Sequence, residues 1–566
     1  MKVAKKYLIV GGVAGGASVA AKLRRLSEED HIVMFEKGPH VSFSNCCLPY
    51  YLSGTIEKAE DLVLMTPEKF DTQYNIDARV NNEVISIDRE KKEVEVKNLL
   101  TGETYRESYD KLILSPGAQP VKPDLPGIEK VNTFTIRNVV DIDRLQQSIQ
   151  HIQPKHITVV GGGFIGIETV ENLIEAGYKV TLVQSPDQVL KQFDFDLAQI
   201  MHKELIDHGV ELILGDRVEA FEKDEVILRS GKRFSSEVIV FGIGVTPDSI
   251  LAKEAGLKLG KRDTIWVDHN YKTSDPDIYA VGDAIQVYNP ISREYEMIAL
   301  AGPALKQARA VAMHIHGIPV VYPGYIGASV VKCFNYNGAA VGLTERAVKA
   351  MGIEYDYAFV VPKDKVGLMP DSEELHMKLL FEKPTGRIIG AQAIGRGNVD
   401  KRIDVISTVM RAKGTIDHLT DLELCYAPPF GSARDVVNMA GFVASNILHG
   451  TFKQVHVDKV RALLEEDALI IDVREWDEWE VAHIKGARLI PLSELRKRLD
   501  EIPKERPVYL HCRSGQRSYN AVMALQNLGY TDVYNISGGF IELCFYEYYT
   551  DQTTGREPIV TAYDFE

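Results

Sequence analysis

Two glycine-rich turns, each set between an apolar strand and a helix, and a third strand–loop–helix unit near the C-terminus predict an α/β protein of several domains. A chain of 566 residues is too long for one core and suggests about three to five domains. Its formal charge of −15 and its mixed lysines and glutamates exclude a basic nucleic-acid surface. Lys2, Lys5 and Lys6 ahead of Leu8-Ile9-Val10 look like the start of a signal peptide, but the apolar run is short and enters Gly11-Gly12 directly. No apolar run is long enough to span a membrane. Six cysteines make no disulfide framework, so a cytoplasmic protein with free thiols is expected. No metal site is assigned.

The first unit runs from the strand Tyr7–Val10 through Gly11-Gly12-Val13-Ala14-Gly15-Gly16 into a helix over Ala17–Leu26, then a strand over Ile32–Phe35 that ends at Glu36. A carboxylate 25 positions after Gly11 can bond a ribose hydroxyl while a pyrophosphate sits at the helix N-terminus. Val13 replaces the middle glycine of the usual fingerprint.

The second unit matches the fingerprint in full: the strand Ile157–Val160, then Gly161-Gly162-Gly163-Phe164-Ile165-Gly166, a helix over Ile167–Ala176 and a strand over Lys179–Val183. Two such Rossmann-like units imply two nucleotides. Gln184 stands at the ribose position, with neither a carboxylate to repel a 2′-phosphate nor a cation to hold one, so NADH is favoured modestly over NADPH.

Each unit is followed by a strand and a Gly/Pro turn, Leu112–Gly117 and Val238–Pro247, and then by Thr273–Ala284, in which Asp283 is placed to accept bonds from a ribityl hydroxyl. The ordered set GGVAGG, Glu36, SFSNC, GGGFIG and TSDPDIYAVGDA resembles the flavoprotein disulfide reductases over roughly residues 1–450. The stretch Val41–Tyr51, VSFSNCCLPYY, resembles their single-cysteine branch, nearest to coenzyme A-disulfide reductases and related to NADH oxidases and peroxidases.

The resemblance implies FAD on the first unit, with Gly11, Gly12, Gly15, Gly16, Glu36 and Asp283, and a nicotinamide nucleotide on the second, with Gly161, Gly163, Gly166 and Gln184. The expected domains are 1–150 and 271–321 for FAD, 151–270 for NAD(P)H, and an α+β dimerisation domain over 322–450 that makes the protein a homodimer.

By the same resemblance Cys46 is the nucleophile, cycling between a free thiolate, held as an anion near the flavin, and a mixed disulfide or persulfide. Cys47 replaces the family's glycine and reads as a small buried side chain; a vicinal Cys46–Cys47 bridge would be strained. Ser18, Lys22, Arg25, Ser42 and Asn45 are the implied coenzyme A contacts. Tyr426 stands in for the absent His–Glu pair as proton donor to the partner's Cys46, and Arg434 for the family's phosphate-binding lysine. Gly367-Leu368-Met369-Pro370 lacks the second tyrosine of coenzyme A-disulfide reductases. Cys333, Cys425 and Cys544 read as packing residues.

From residue 455 to 566 the pattern restarts, with a helix over Asp458–Leu464, strands over Ala468–Val473 and Val508–His511, and a helix over Arg517–Leu528. Ile471-Asp472-Val473-Arg474, His483–Ala487 and Cys512–Ser518 together resemble the rhodanese sulfurtransferases. Cys512 lies between a strand end and a helix N-terminus, where inward N–H groups hold a thiolate or persulfide, and Arg513 and Arg517 add positive charge for substrate.

Fusing a sulfurtransferase to a thiol reductase suggests that Cys512 handles sulfane sulfur while Cys46, with FAD, reduces coenzyme A persulfide, polysulfide or coenzyme A disulfide. Two rivals differ in observable ways. An NADH oxidase or peroxidase, with Cys46 cycling through a sulfenate, would consume NADH in air without a thiol substrate. A redox sensor would bind FAD and turn over nothing.

Overall fold

The structure is a computed structural model, described for residues 4–565; Lys2 lies outside them. The chain divides into two compact units, Met1–Ser185 with Gly215–Gly327, and Pro186–Leu214 with Ala328–Glu566.

In the first unit, five strands run parallel in the order Ile278–Ala280, Lys111–Leu114, Lys6–Val10, His31–Glu36 and Asp77–Val80. Their apolar runs are buried on both faces, as a covered parallel sheet requires. The strand order reverses on either side of Lys6–Val10, so the crevice opens at its carboxyl end, over the glycine turn. Lys179–Gln184, His156–Val160, Val238–Phe241 and Asn132–Thr135 run parallel in that order and repeat the arrangement. The helices start at Ala14 and Phe164, three residues earlier than the sequence reading, because the glycine turns themselves form the first helical turn. Neither helix has a side-chain cap, which leaves its first N–H groups for a ligand.

In the second unit, Ser329–Cys333, Tyr336–Gly342, Ile388–Gly395, Leu375–Glu382 and Tyr355–Val360 form an antiparallel sheet. The helices Val399–Arg411 and Val436–Leu448 pack on it. A parallel sheet follows, ordered Lys453–Val455, Val533–Ile536, Val508–His511, Leu469–Asp472 and Arg488–Leu489. The link after Gly450 is therefore only a few residues long, and Phe452 within it is buried.

Polar contacts fix the C-terminal module to the antiparallel sheet. Gln454 donates to the Tyr357 carbonyl at 2.9 Å, His456 stacks on the Tyr357 ring at 3.8 Å, and His376 Nδ1 lies 3.1 Å from Glu542, both buried. Beneath Tyr357, the fully buried Lys378 donates to Asp196 and Glu345 at 2.6 Å each. Buried polar groups that lose their partners cost about 1–3 kcal/mol each, so these contacts hold the module against the sheet.

Candidate functional site: two thiols on two parallel-sheet loops

Gly11 and Gly161 take the left-handed region at φ +94° and +109°; a Cβ on Gly11 would meet the Ser115 carbonyl at 2.0 Å. Gly16 and Gly166 let each helix close on its turn, their Cβ positions lying 1.8 Å from the carbonyls of Gly11 and Gly161. Gly15 faces Ser115 Oγ, whereas Gly163 has nothing within 4 Å and leaves open room at the second helix start.

Glu36 accepts from the Gly12 and Gly38 N–H groups at 2.9 Å each. Gln184 Oε1 accepts from the Gly162 N–H at the same 2.9 Å. The registers make the two residues equivalent: Glu36 follows the partner of Val10, and Gln184 the partner of Val160. Asp283 lies in the single turn Gly282–Ala284, where burial raises its carboxyl above the usual range and Arg137 opposes the rise. The bare glycine backbone, the aligned Glu36 and the enclosed Asp283 fit FAD on the first unit, and the open turn with Gln184 fits a nicotinamide nucleotide on the second.

Cys46 is exposed in the 3-10 turn Asn45–Tyr51, against which the helix Phe164–Glu175 packs. Burial of its sulfur pushes the thiol up, and the neighbouring Glu168 carboxylate pushes it further, with smaller contributions from Cys47 and Asp283. The chain's own charges therefore add nothing in favour of an anion there. Both Cys46 and the half-buried Cys47 are free thiols. Glu168 escaped the sequence reading, although it stands two residues past the second fingerprint; burial and then Glu171 raise its carboxyl to about 7.

Ser18, Lys22 and Arg25 follow helical spacing on one face; Lys22 is half-buried and Arg25 exposed beside the Tyr74 ring at 5.8 Å. The neighbouring Arg24 is buried instead and donates to the carbonyls of Ser27, Asp30, Tyr74 and Asn75. Ser42 takes φ +47° and donates its N–H to the Gly12 carbonyl at 2.8 Å, tying the cysteine loop to the glycine turn. Asn45 Oδ1 is buried with no protein donor, an acceptor left for a ligand.

Tyr426 is 50% exposed and Phe430 67% exposed, on an irregular stretch. Cys333 and Cys544 are buried, but Cys425 is exposed on that same stretch and is not a core thiol. Leu368, where the second tyrosine is missing, is 93% exposed.

Cys512 follows the strand Val508–His511, and its sulfur accepts from the Gly515 N–H at 3.1 Å and the Ser518 hydroxyl at 3.5 Å. Arg517 makes a two-pronged pair with Glu478, at 2.6 and 2.7 Å, beside that sulfur. Arg513 pairs with Glu374 at 3.3 Å through Nε and with Asp564 at 3.1 Å through Nη1, while its buried Nη2 has no protein partner. Beneath the loop, Asp472 and Arg474 form a buried pair at 2.8 Å; burial would raise Asp472, but His511 and Arg474 hold it below the usual range. Among the described residues no His, Cys, Asp or Glu cluster could hold a metal ion, and no helix is long and apolar enough to cross a membrane.

Comparison with known proteins agrees with this layout. Residues 5–308 match the pyridine nucleotide-disulphide oxidoreductase family model, 328–437 its dimerisation domain and 456–544 the rhodanese-like domain. Coenzyme A disulfide reductase of Staphylococcus aureus (strain JH9) is 36% identical over 441 residues, 78% of this chain and 99% of that protein. The crystal structure of reduced Bacillus anthracis CoADR-RHD is 46% identical, with a TM-score of 0.94, covering 96% of this chain and 98% of that one. A NAD-dependent persulfide reductase from A. fulgidus is 32% identical, with a TM-score of 0.90, covering 94% and 99%.

Proposed function

Because the chain belongs to the pyridine nucleotide-disulphide oxidoreductases, in the coenzyme A disulfide reductase family and with a rhodanese-like domain at its C-terminal end, we propose that it reduces persulfides of coenzyme A, and coenzyme A disulfide, at the expense of NADH. The observation that carries this reading is the intact Cys512 nest in the same chain as the single flavin-side Cys46. A passenger domain would need neither the thiol nor the donors around it.

FAD, reduced by NADH, supplies two electrons at the Cys46 loop when bound. Cys46 attacks the carbon-bound sulfur of the persulfide, hydrosulfide leaves, and a Cys46–carrier disulfide forms. Two electrons then break that bond, restoring the Cys46 thiolate and freeing the carrier thiolate. Ser18, Lys22 and Arg25 hold the carrier's phosphates, and Ser42 and Asn45 orient its arm. Tyr426 of a second copy protonates the departing thiolate, so the working form is a homodimer, placed in the reducing cytoplasm. The Gly515 N–H and Arg517 face the Cys512 sulfur and stabilise negative charge that forms on it, and Arg513 with Arg517 adds positive charge for the sulfur donor. The domain limits proposed are 1–150 and 271–321 for FAD, 151–270 for the nicotinamide nucleotide, 322–450 for dimerisation and 455–566 for rhodanese.

The test compares Cys46→Ser with the unaltered protein, with coenzyme A persulfide under anaerobic conditions and in air without thiol. Loss of anaerobic NADH oxidation in the variant, with little aerobic consumption by either protein, supports the reading. Rapid aerobic NADH consumption without any thiol identifies an oxidase instead.

A further inference from the structure

Between the rhodanese-like module and the antiparallel sheet lies a cavity of about 390 Å³. Its walls are the sheet end at residues 359–362, the helix Val436–Leu448, the turn at residues 514–516 and the end of the strand Val533–Ile536. At the volume of liquid water this is room for roughly a dozen heavy atoms, the size of a small-molecule site. Neither Cys46 nor Cys512 is among the residues that line it, so its chemistry is recognition rather than sulfur transfer.

The apolar part of the lining is aromatic. Phe452 meets Tyr519 edge to face, ring centroids 5.0 Å apart, and Phe359 and Phe442 complete it. Flat rings of this kind receive a flat ring. Among the polar residues of the lining, Asn535 is only 6% exposed, and its Oδ1 accepts no hydrogen bond from the protein. A buried acceptor without a donor costs free energy unless a ligand supplies one. A side-chain amide offers an acceptor and a donor side by side. That pair matches the N6–H and N7 edge of adenine and mismatches guanine, which presents two acceptors there. Arg434 is exposed at the edge, its guanidinium 5.7 Å from the Phe442 ring, and enters no ion pair among the described residues. A cation at the mouth of a purine-sized interior suits a phosphate.

We propose that this cavity binds an adenine nucleoside phosphate, at a site that uses none of the residues of the two glycine turns. The base lies among the aromatic rings, its N6–H donates to Asn535 Oδ1, and Asn535 Nδ2 donates to N7. The phosphate pairs with Arg434, a residue that the family resemblance assigns to the substrate of Cys46. The site is independent of the reading of the two thiols. Because its walls belong to both the module and the sheet, a bound nucleotide ties one to the other and stabilises the folded chain by mass action.

The experiment is calorimetric titration of adenosine 5′-monophosphate, guanosine 5′-monophosphate and adenosine into the full-length, FAD-loaded protein. The adenine nucleotide should bind about tenfold tighter than the guanine nucleotide and raise the melting temperature. Asn535→Leu should weaken adenosine monophosphate about tenfold and level that preference, while KM for NADH stays unchanged. Arg434→Ala should weaken adenosine monophosphate about tenfold and leave adenosine as it was, with Arg434→Lys keeping most of the affinity. Coenzyme A that displaces the binding removed by Asn535→Leu identifies the adenosine end of a larger carrier as the ligand, and coenzyme A that does not displace it identifies the free nucleotide. Equal affinity for the two nucleotides, binding that Asn535→Leu leaves unchanged, or no binding at all overturns the proposal. If thermal melts show Asn535→Leu to be unfolded, the base preference of the unaltered protein and the Arg434 pair of variants decide.

Discussion

His456 is stacked on Tyr357, ring centroids 3.8 Å apart and planes 16° from parallel, so the first residues of the rhodanese-like module rest on the sheet that precedes it. Burial, with the nearby positive charge of Lys378, pushes His456 down to about 4. The folded form thus binds fewer protons than the unfolded chain, where histidine titrates near 6.5. The stability this group contributes is present above about pH 6.5 and lost as pH falls toward 4, by up to about 3 kcal/mol. His456→Phe keeps the stack and removes the titration. Urea melts between pH 4 and 7 should show a shallower acid loss in the variant, and an unchanged slope would show that His456 does not titrate in this way.

Gln184 accepts from Gly162 as Glu36 does from Gly12, yet it is neutral. Gln184→Glu places a carboxylate where a 2′-phosphate would lie, a repulsion of about 1–3 kcal/mol near a protein surface. The ratio of kcat/KM for NADPH over NADH should fall by at least tenfold. A ratio that does not move places the ribose elsewhere.

Glu168 adds to the rise of the Cys46 thiol, behind burial itself. In Glu168→Gln that negative charge is gone, so alkylation of reduced Cys46 by iodoacetamide should be faster at neutral pH and its pH profile should shift to lower pH. A slower reaction, or an unshifted profile, would mean that the carboxyl does not act on the sulfur.

The strand–glycine–helix units and the Cys512 loop were legible in the sequence because their signals are local: apolar runs, turns that only glycine can make, and a cysteine at a strand end. What stayed hidden depends on contacts between distant residues. That Arg513 also pairs with Glu374 and Asp564, 139 and 51 positions away, could not be read from the sequence. Cys425 reads as a core thiol because composition cannot show that Tyr426 and Phe430 beside it are exposed as well. A linker's length does not reveal docking, which rests on pairs such as His376 with Glu542, 166 positions apart.

Arg517 is oriented by its two bonds to Glu478. Glu478→Gln keeps the shape but loses the charged pair, at a cost to stability of about 1 kcal/mol for this partly exposed site. Freed from that clamp, Arg517 no longer holds the Cys512 anion in place, and sulfur transfer from thiosulfate to cyanide should fall about tenfold, with kcat carrying the loss. Unchanged kcat would leave Glu478 with a structural part only.

The most direct test of the coupled reading is the anaerobic ratio of sulfide released to NADH oxidised, with coenzyme A persulfide as substrate, in the intact protein, Cys46→Ser and Cys512→Ser. With that substrate the account predicts one sulfide per NADH and no turnover without Cys46; with polysulfide and free coenzyme A, where Cys512 first passes sulfane sulfur to the carrier, turnover should fall sharply without Cys512, while reduction of coenzyme A disulfide survives its loss. Polysulfide reduction at full rate in Cys512→Ser would contradict it, since the two thiols would then serve separate reactions.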